Sequence, residues 1–361
     1  MKEDSHLYAV IMAGGKGTRF WPLSRENRPK QLLAITGSEA MLRSTVDRIL
    51  PLVPPERVLI VTGAPHADEV EALLSDLPPG NIIIEPIGRN TLPCIGLAAH
   101  VVCQKDPDGV MLVLPADHVI TKTAQFRALV EIGADLACQP EALVTLGILP
   151  TRLETGYGYI EFAEEVMEVN GTKVHEVASF HEKPNQEKAT EYLASGRFYW
   201  NSGMFIFQAR TILSWLDRLW PDMARHLKTL ARTLGQPDFA ATIAEIYPGL
   251  TSISIDHGIM EKATGVLALP ADIGWSDVGS WTVAAEHWPE EAGNTVWCEG
   301  LFIESSGCVI YSPGKLVALI GVKDLVVIDT PDALLICPKD KDQQVKKAVE
   351  ALKRKGRHDL L

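Results

Sequence analysis

Residues 14–31 contain the side chains of this chain that are best suited to bind phosphate. They follow an apolar stretch, residues 7–12, which predicts a buried strand. Three glycines and two cations stand in this loop: Gly14, Gly15, Gly17, Arg19 and Lys30. Glycines let the backbone approach a ligand closely, and successive N–H groups in such a turn attract anions. The cations supply fixed charge for phosphate oxygens, so the loop predicts a triphosphate site.

The spacing in this loop differs from two common phosphate motifs. A dinucleotide-binding fold requires G-x-G-x-x-G, and Phe20 stands where the third glycine would be. The P-loop spacing G-x-x-x-x-G-K-[ST] does not occur here. Pro22 and Pro29 would also break a helix that ran on from the loop. The loop is therefore expected to bind phosphate in another way.

Two aspartates are candidates for a metal site. Asp117 comes directly after the apolar residues 110–114, and Asp277 lies in a glycine-flanked turn, residues 274–279. Either aspartate alone is more often a cap or a turn residue. Mg²⁺, however, commonly takes one or two protein carboxylates and completes its shell with phosphates and water. Together with the phosphate loop, the two aspartates predict one Mg²⁺ site.

A further group of polar residues is suited to a sugar phosphate. The stretch 180–184 ends a predicted strand with the adjacent charges of Glu182 and Lys183. A solvated salt bridge is the plain alternative; the functional interpretation assigns Lys183 to a phosphate and Glu182 to a sugar hydroxyl. The glycines of 156–159 allow close backbone approach, and Asn201 can both donate to and accept from hydroxyls.

Three histidines stand near these groups, but none belongs to a Ser-His-Asp or Cys-His arrangement. We interpret His118, His181 and His257 as structural. Asp256 is predicted to cap the helix that follows it.

The composition limits the class of partner. The 361 residues carry a net charge of −12, which disfavours binding to nucleic acid or to an anionic membrane. The six cysteines are scattered without a C-x-x-C pair, which argues against structural zinc and is typical of reduced thiols. The N-terminus lacks the pattern of a signal peptide, and no apolar run approaches the roughly 18 residues that span a bilayer. We therefore expect a cytoplasmic protein.

Strand-like and helix-like stretches alternate in the first half of the chain. Strands are predicted at 7–12, 57–62, 81–85, 110–114 and 142–147. Helices are predicted at 40–50, 66–76, 91–104 and 123–138. Near-continuous Val, Ile and Leu runs separated by helices indicate a parallel sheet covered on both faces. Ligands of such sheets bind beyond the carboxyl ends of the strands, which is where the phosphate loop, residues 85–90 and Asp117 fall.

The second half has a different pattern. Strands are predicted at 157–162, 174–181 and 203–207, and residues 210–247 are rich in helix. After about residue 285, short strand-like pieces alternate with turn residues, at 295–297, 301–304, 308–311, 316–320, 325–328 and 333–336. Turns at such short spacing are typical of a small stacked coil of short strands. Residues 341–355 predict an amphipathic helix.

Taken together, these residues resemble the sugar-phosphate nucleotidyltransferases, whose signature is a G-G-x-G-T-R…P-K loop. Within that family, the chain is most similar to the mannose-1-phosphate guanylyltransferases. The narrower resemblance rests on residues 20–25, 29–31, 85–91, 180–184, 200–205, 273–281 and 320–330. It covers nearly the whole chain. His181 stands where a valine or similar residue is more usual, while Glu182 and Lys183 match.

The resemblance implies a fold and a division into domains. Residues 1–284 would form a Rossmann-like α/β nucleotidyltransferase domain with a mixed, mostly parallel sheet. Residues 285–361 would form a small C-terminal β domain that resembles a short left-handed β-helix and ends in the amphipathic helix. The apolar late strands suggest a homodimer contact through this β domain, with a monomer as the alternative. Longer relatives add an isomerase domain, which we do not expect in this chain.

The resemblance also implies a reaction: mannose 1-phosphate and GTP give GDP-mannose and pyrophosphate by Mg²⁺-assisted in-line attack on the α-phosphorus. The catalytic residues would be Arg19, Lys30, Lys183, Asp117 and Asp277, of which the two aspartates hold Mg²⁺. The nucleotide-binding residues would be Gly14, Gly15, Gly17, Thr18, Arg19, Glu85, Gly88 and Asn90. The sugar-binding residues would be Gly158, Glu182, Lys183 and Asn201.

Two alternatives remain at this point. One is the same fold with another substrate pair, such as glucose 1-phosphate with UTP or dTTP. The other is a non-catalytic regulatory subunit that binds a sugar nucleotide. Such a subunit could lose a metal-binding carboxylate or a phosphate-binding lysine without loss of its role, yet this chain retains all five predicted catalytic residues.

Overall fold

Two packing units divide the chain. The computed structural model describes residues 6–15 and 17–361; the polar residues 1–5 and Lys16 of the phosphate loop lie outside the described residues. The larger unit contains the described residues of Met1–Ala13, Val46–Pro115 and Ile120–Trp275. The smaller unit contains those of Gly14–Thr45, Ala116–Val119 and Ser276–Leu361. The domain boundary between residues 284 and 285 stays a prediction, because these units follow packing and not chain order.

The regular elements follow the alternation that the sequence predicts. In chain order, the strands are β1 Leu7–Ala13, β2 Val58–Gly63, β3 Ile82–Glu85, β4 Val110–Pro115, β5 Val119–Ile120, β6 Leu143–Ile148, β7 Tyr159–Val169, β8 Thr172–His181, β9 Phe198–Gln208, β10 Val266–Ala271, β11 Trp275–Ser276, β12 Glu290–Glu291, β13 Asn294–Ile303, β14 Val309–Ile320, β15 Leu325–Asp329 and β16 Leu334–Pro338. The α-helices are α1 Met41–Ile49, α2 Ala67–Leu73, α3 Thr91–Lys105, α4 Thr123–Ala137, α5 Gln186–Ser195, α6 Ala209–Leu219, α7 Pro221–Thr233, α8 Phe239–Ile246, α9 Trp281–Ala285 and α10 Val345–Arg354.

A nine-stranded sheet forms the centre of the larger unit. Its strand order is β3-β2-β1-β4-β9-β6-β10-β8-β7. Strands β1 to β4 run parallel, with Ile11 of β1 opposite Ile60 of β2 and Leu114 of β4. Strand β9 is antiparallel to both β4 and β6, and β8 is antiparallel to β10 and β7. The mixed, mostly parallel sheet is therefore confirmed.

Helices cover both faces of this sheet because its central strands are apolar on both sides. Phe205 and Phe207 of β9 belong to a core cluster that includes residues of α3, α6 and α7. Ile206, which points to the opposite face, faces α4, where a Cβ added to Gly133 would lie 2.4 Å from its Cδ1. Glycine at 133 thus lets α4 approach the sheet closely.

The smaller unit combines the phosphate loop with the late strands. Strands β12 to β16 form a sheet in chain order, in which β13, β14 and β15 are parallel neighbours and the two outer pairs are antiparallel. An aromatic core joins this sheet to the loop: the rings of Phe20 and Trp281 are 5.1 Å apart, and Trp281 Nε1 donates to the carbonyl of Trp21 at 3.2 Å. Trp288 Nε1 donates to the carbonyl of Ile35 at 2.6 Å. These contacts fix the course of the chain after residue 17.

Some predicted elements in this region were wrong in length. The pieces predicted at 295–297 and 301–304 belong to one strand, β13, which continues through a register shift between Trp297 and Glu299. The pieces at 308–311 and 316–320 likewise belong to one strand, β14, although it contains Pro313 and Gly314. The predicted final helix begins as a 3-10 helix, Lys339–Gln344, before α10.

None of the helices within residues 6–15 and 17–361 is both long enough and apolar enough to cross a membrane.

Candidate functional site

Two glycines of the phosphate loop have different surroundings. Gly17 precedes a short 3-10 helix, Thr18–Phe20, and has a φ of 55°. A Cβ added to Gly17 would lie 2.6 Å from Cβ of Lys30, whereas one added to Gly14 would meet no described atom within 4 Å. Only glycine therefore fits at 17, where it lets the chain pass close to Lys30. Gly14 and Gly15 are exposed.

Lys30 is buried, and its ammonium donates to three acceptors within the smaller unit. Nζ lies 2.9 Å from both the carbonyl oxygen and Oδ2 of Asp117, and 2.6 Å from the carbonyl oxygen of Asp277. It also lies 5.6 Å from the centre of the Phe20 ring. An ammonium has three N–H donors. All three are therefore used to connect the segments that contain the two predicted metal ligands.

The same contact controls the ionisation of Asp117. Burial alone would raise the pKa of this carboxyl, but the charges of Lys30 and His118 and the hydrogen bond from Lys30 hold the pKa below its ordinary value of 3.8. Asp117 is therefore a carboxylate at neutral pH, which is the form that binds a cation.

The turn that contains Asp277 has a strained backbone. Val278 has a φ of 48°, a left-handed conformation that is costly for a β-branched residue. Its side chain is fully buried in the aromatic core, and its N–H donates to Oγ of Ser276 at 3.1 Å. A Cβ added to Gly279 would lie 3.1 Å from Oδ2 of Asp277. The carboxylate thus folds over a glycine, in a turn that the buried valine anchors.

A polar cavity of about 280 Å³ collects these residues in the smaller unit. It is lined by Gly17, Thr18, Arg19, Phe20, Lys30, Asp117, His118, Asp277, Val278 and Gly279. Arg19 is exposed, and its Nη1 lies 3.4 Å from the carbonyl oxygen of Gly279. His118, which we interpreted as structural, also lines the cavity. Stretches that are far apart in sequence therefore converge, as the loop and the two aspartates predict.

The described residues contain no group of three or more His, Cys, Asp and Glu side chains that could hold a metal ion by themselves. Two carboxylates line the cavity instead, beside two cations. This composition suits a metal ion that takes part of its shell from a phosphate ligand.

The predicted base-binding residues lie in the larger unit, at the last position of β3 and in the loop that follows it. Glu85 is buried, and its Oε1 accepts a hydrogen bond from the hydroxyl of Tyr247. Burial raises the pKa of the Glu85 carboxyl to about 7, although the Tyr247 bond opposes this. Asn90 has a φ of 65°, and its Oδ1 accepts from the N–H of Thr91 at the start of α3. A Cβ added to Gly88 would meet no described atom within 4 Å, and Gly88 and Asn90 are both exposed, unlike Glu85.

Three of the four predicted sugar-binding residues lie together in the larger unit. A Cβ added to Gly158 would lie 2.6 Å from Oε2 of Glu182 and 3.3 Å from Cβ of Asn201. The backbone N–H of Asn201 donates to the carbonyl of Gly158 at 2.8 Å. Gly158 is therefore the glycine that allows the two side chains to approach each other.

Lys183 differs from its neighbour in exposure and backbone. Its side chain is 62% exposed, against 25% for Glu182, and its ammonium pairs with Oε1 of Glu182. Lys183 also has a φ of 46°, which is uncommon for a residue with a long side chain. This segment thus contains the salt bridge that a purely structural role would explain. It also contains the strained backbone that is typical of functional sites.

Asp256 also belongs to this cluster. Asp256 was predicted to cap a helix, and this was wrong: it begins a π-helical turn, Asp256–Met260, and its Oδ1 accepts a hydrogen bond from Nδ2 of Asn201 at 2.6 Å. The two residues are 55 positions apart, so no local pattern could reveal their contact. His181 and His257 pair with Ser179 and Glu261, respectively.

Nearly the whole chain is similar to known proteins. A family model described as "Nucleotidyl transferase" matches residues 8–288, and one described as "MannoseP isomerase/GMP-like beta-helix domain" matches residues 299–352. The chain is 40% identical to a mannose-1-phosphate guanylyltransferase of Klebsiella pneumoniae over 98% of this chain and 75% of that protein. It is 42% identical to a protein of the same name from Escherichia coli K12, over 99% of this chain and 75% of that protein. A crystal structure described as "mannose-1-phosphate geranyltransferase" from Thermus thermophilus matches with a TM-score of 0.87 and 33% identity, over 97% of this chain and all of that one.

Proposed function

This chain belongs to the nucleotidyl transferase family, and on that premise we propose that it transfers GMP from GTP to mannose 1-phosphate, giving GDP-mannose and pyrophosphate. The substrates of such an enzyme are a nucleoside triphosphate and a sugar phosphate. The observation that carries the proposal is the cavity in which Arg19, Lys30, Asp117 and Asp277 converge. The names of the relatives supply the choice of guanine and mannose.

The phosphate loop would bind the triphosphate. A Cβ added to Gly14 or Gly15 would meet no described atom within 4 Å, which leaves room for a phosphate beside this backbone, and Thr18 and Arg19 line the cavity. The exposed Arg19 guanidinium makes a long contact with the carbonyl of Gly279 through Nη1, and a guanidinium has further donors that are suited to phosphate oxygens. Lys30 would neutralise charge on the side of the α-phosphate and the leaving group. Because its donors are occupied, this requires it to exchange a protein partner for a phosphate oxygen.

Asp117 and Asp277 would hold Mg²⁺. The fit rests on the cavity itself: two acids line it, one of them held ionised by its neighbours, which are oxygen donors of the kind that Mg²⁺ prefers. Bound there, Mg²⁺ would stabilise negative charge that develops on the phosphates. The chain's own contribution is to fix these donors through Lys30 and the Val278 turn.

Residues of the larger unit would bind the base and the sugar. Guanine presents N–H donors along one edge, which suits the carbonyl groups near Gly88 and the side-chain oxygen of Asn90. Glu85 is buried against Tyr247, so its role at the base would be to hold this loop. Gly158, Glu182 and Asn201 would face the sugar hydroxyls, and the exposed Lys183 would bind the sugar phosphate.

The proposed reaction is a direct transfer between the two substrates. An oxygen of the sugar phosphate attacks the α-phosphorus of GTP in line, the bond between the α-phosphorus and the bridging oxygen breaks, and pyrophosphate leaves with that oxygen. No covalent enzyme intermediate is needed. Such transfers depend mainly on positioning and on charge neutralisation, which are the properties that the residues above supply.

A substrate panel tests the proposal. Pyrophosphate release is measured with GTP, UTP and dTTP, each combined with mannose 1-phosphate or glucose 1-phosphate. We expect GTP with mannose 1-phosphate to give the highest kcat/KM. Preference for UTP or dTTP with glucose 1-phosphate would replace the substrate assignment, and binding without turnover of any pair would favour a regulatory subunit.

The proposal includes a homodimer through the late strands. Leu301, Ile303, Leu316 and Ile320 of β13 and β14 are exposed, and Ile303 pairs with Ile320 across the two strands. A contiguous exposed apolar face of this kind is typical of an interface, and a second copy of the chain is the partner that the resemblance implies. Ile320→Asp is expected to give a monomer in analytical ultracentrifugation. Leu149→Asp, at a comparably exposed site, should leave the dimer intact; a wild-type monomer would overturn this part of the proposal.

A further inference from the structure

We propose that Asp256 is a positioning residue for sugar binding, which acts by fixing the side-chain amide of Asn201. This inference rests on the proposed role of Asn201 in binding the sugar phosphate. It concerns a residue for which the sequence predicted only a structural role, as a helix cap.

The Asn201 amide is held at both ends. Its Oδ1 accepts from the N–H of Gly203 at 3.1 Å, and its Nδ2 donates to Oδ1 of Asp256 at 2.6 Å. An amide nitrogen has two N–H donors, so one remains for a ligand. The amide oxygen likewise keeps one of its two lone pairs. Asn201 can therefore donate one hydrogen bond to the sugar and accept one from it, in the orientation that its two protein partners fix.

A carboxylate fixes this orientation because it can only accept hydrogen bonds. An amide at 256 could turn either its oxygen or its nitrogen toward Asn201, whereas Asp256 attracts Nδ2 alone. Burial raises the pKa of the Asp256 carboxyl, Glu182 raises it further, and the bond from Asn201 opposes both. Glu182, a second predicted sugar-binding residue, is thus one of the charges that act on Asp256.

The segment that carries Asp256 is anchored independently of this contact. The N–H of Ile255 donates to Oγ1 of Thr91 at 2.9 Å, and the N–H of Leu92 donates to the carbonyl of Ile253 at 3.1 Å. A Cβ added to Gly258 would lie 2.6 Å from Cδ2 of Leu92. The start of α3 therefore holds residues 253–258 in place. Removing the carboxylate should leave this backbone unchanged and release only the Asn201 amide.

A double-mutant cycle tests the inference. Asp256→Ala, Asn201→Ala and the double variant are compared with wild type by KM for the sugar phosphate, KM for the nucleotide and kcat. We expect Asp256→Ala to raise KM for the sugar phosphate by about tenfold, the order expected when a charged hydrogen-bond partner is lost. KM for the nucleotide should stay within about twofold. The double variant should be no worse than Asn201→Ala, because Asp256 acts through Asn201.

Two further variants separate positioning from folding. Asp256→Asn retains an oxygen that can accept from Asn201, so it should recover most of the affinity that Asp256→Ala loses. Glu261 is an acid of the same segment and pairs with His257. Its substitution, Glu261→Gln, should leave every kinetic constant unchanged. Additive losses in the double variant, or equal losses for both substrates, would overturn the inference.

The cycle distinguishes this inference from the proposed function. It is run with the substrate pair that the wild type prefers. A preference for UTP and glucose 1-phosphate would change the assigned substrates, and the coupling between the two substitutions could still be measured. If no pair is turned over, calorimetric titration with mannose 1-phosphate and with glucose 1-phosphate supplies the same four affinities. The proposed role of Asp256 is then contradicted if the Asp256→Ala and Asn201→Ala substitutions lower the affinity independently.

Discussion

The ammonium of Lys30 lies 2.9 Å from Oδ2 of Asp117, a residue 87 positions later in the chain, and donates at 2.6 Å to the carbonyl of Asp277, a further 160 positions on. One cation therefore joins the two segments that present the proposed metal ligands. Before any substrate binds, Lys30 holds the two turns that carry these carboxylates close together.

Replacing this cation tests that role. Lys30→Met keeps the length of the side chain but leaves the Asp117 carboxylate without its charged partner. We expect a loss of about 2 kcal/mol in the free energy of unfolding at pH 7, measured with urea, because a mostly buried charged hydrogen bond is broken. The matched control is Lys122→Met, whose ion pair with Asp272 is exposed and should contribute under about 1 kcal/mol. Equal stability of the two variants would contradict the role.

The pairing of Lys30 with Asp117 also makes the free energy of unfolding depend on pH. Lys30 and His118 lower the pKa of Asp117 in the folded state, so the unfolded state binds its proton at higher pH than the folded state does. The stabilisation is therefore complete above the ordinary pKa near 3.8 and is lost as the pH falls through the lower folded value. The difference in unfolding free energy between wild type and Lys30→Met should shrink below about pH 4. A difference that grows on acidification would contradict this.

Two glycines of the loop provide a matched comparison. Gly17→Ala places a Cβ 2.6 Å from Cβ of Lys30 at a φ of 55°, so we expect it to lower both stability and kcat/KM. Gly14→Ala meets no described atom within 4 Å and should unfold at the wild-type urea concentration. Should phosphates approach this backbone, Gly14→Ala will still weaken GTP binding, which calorimetry measures. Unchanged stability in Gly17→Ala would show that the loop has another conformation.

The sequence predicted the larger unit well because its signals are local. The apolar strands β1 to β4 and the helices between them each show in a short stretch of residues, and their predicted ends lie within a few positions of those observed. The phosphate loop and Asp117 were placed by the rule that ligands bind after parallel strands. The prediction of the loop thus depended on residue types and spacing alone.

What the sequence could not show depends on contacts between distant segments. The pairing of Lys30 with Asp117 and Asp277 spans most of the chain, and the bond between Asn201 and Asp256 joins two elements that no local pattern relates. Strands β13 and β14 were predicted as separate pieces because glycine and proline usually mark turns. In the structure, parallel pairing of neighbouring strands carries the chain through those residues.

Removal of a proposed metal ligand should affect metal and catalysis together. For Asp277→Asn we expect kcat to fall by about 10² to 10³, as for loss of an electrostatic group, and the Mg²⁺ concentration for half-maximal rate to rise at least about tenfold. GTP binding in EDTA should be nearly unchanged, because the phosphate loop remains. Asp272→Asn removes an exposed acid five positions away and should behave as wild type. Pyrophosphate release at the wild-type rate in Asp277→Asn would refute the metal assignment.

Glu85 predicts a second pH dependence, of opposite sign to that of Asp117. Burial raises the pKa of its carboxyl from 4.5 to about 7, so between these values the folded state binds the proton more tightly than the unfolded state. Stability from this group therefore declines as the pH rises through that window, by about 3 kcal/mol in all. Urea unfolding from pH 4.5 to pH 8 should show this decline in wild type relative to Glu85→Gln, which does not titrate. Tyr247→Phe removes the hydrogen bond that favours the charged form, so it should extend the decline to higher pH. Parallel stability curves for wild type and Glu85→Gln would mean that Glu85 is ionised in the folded protein over this whole pH range. Its carboxylate would then need a cationic partner in addition to the neutral hydroxyl of Tyr247.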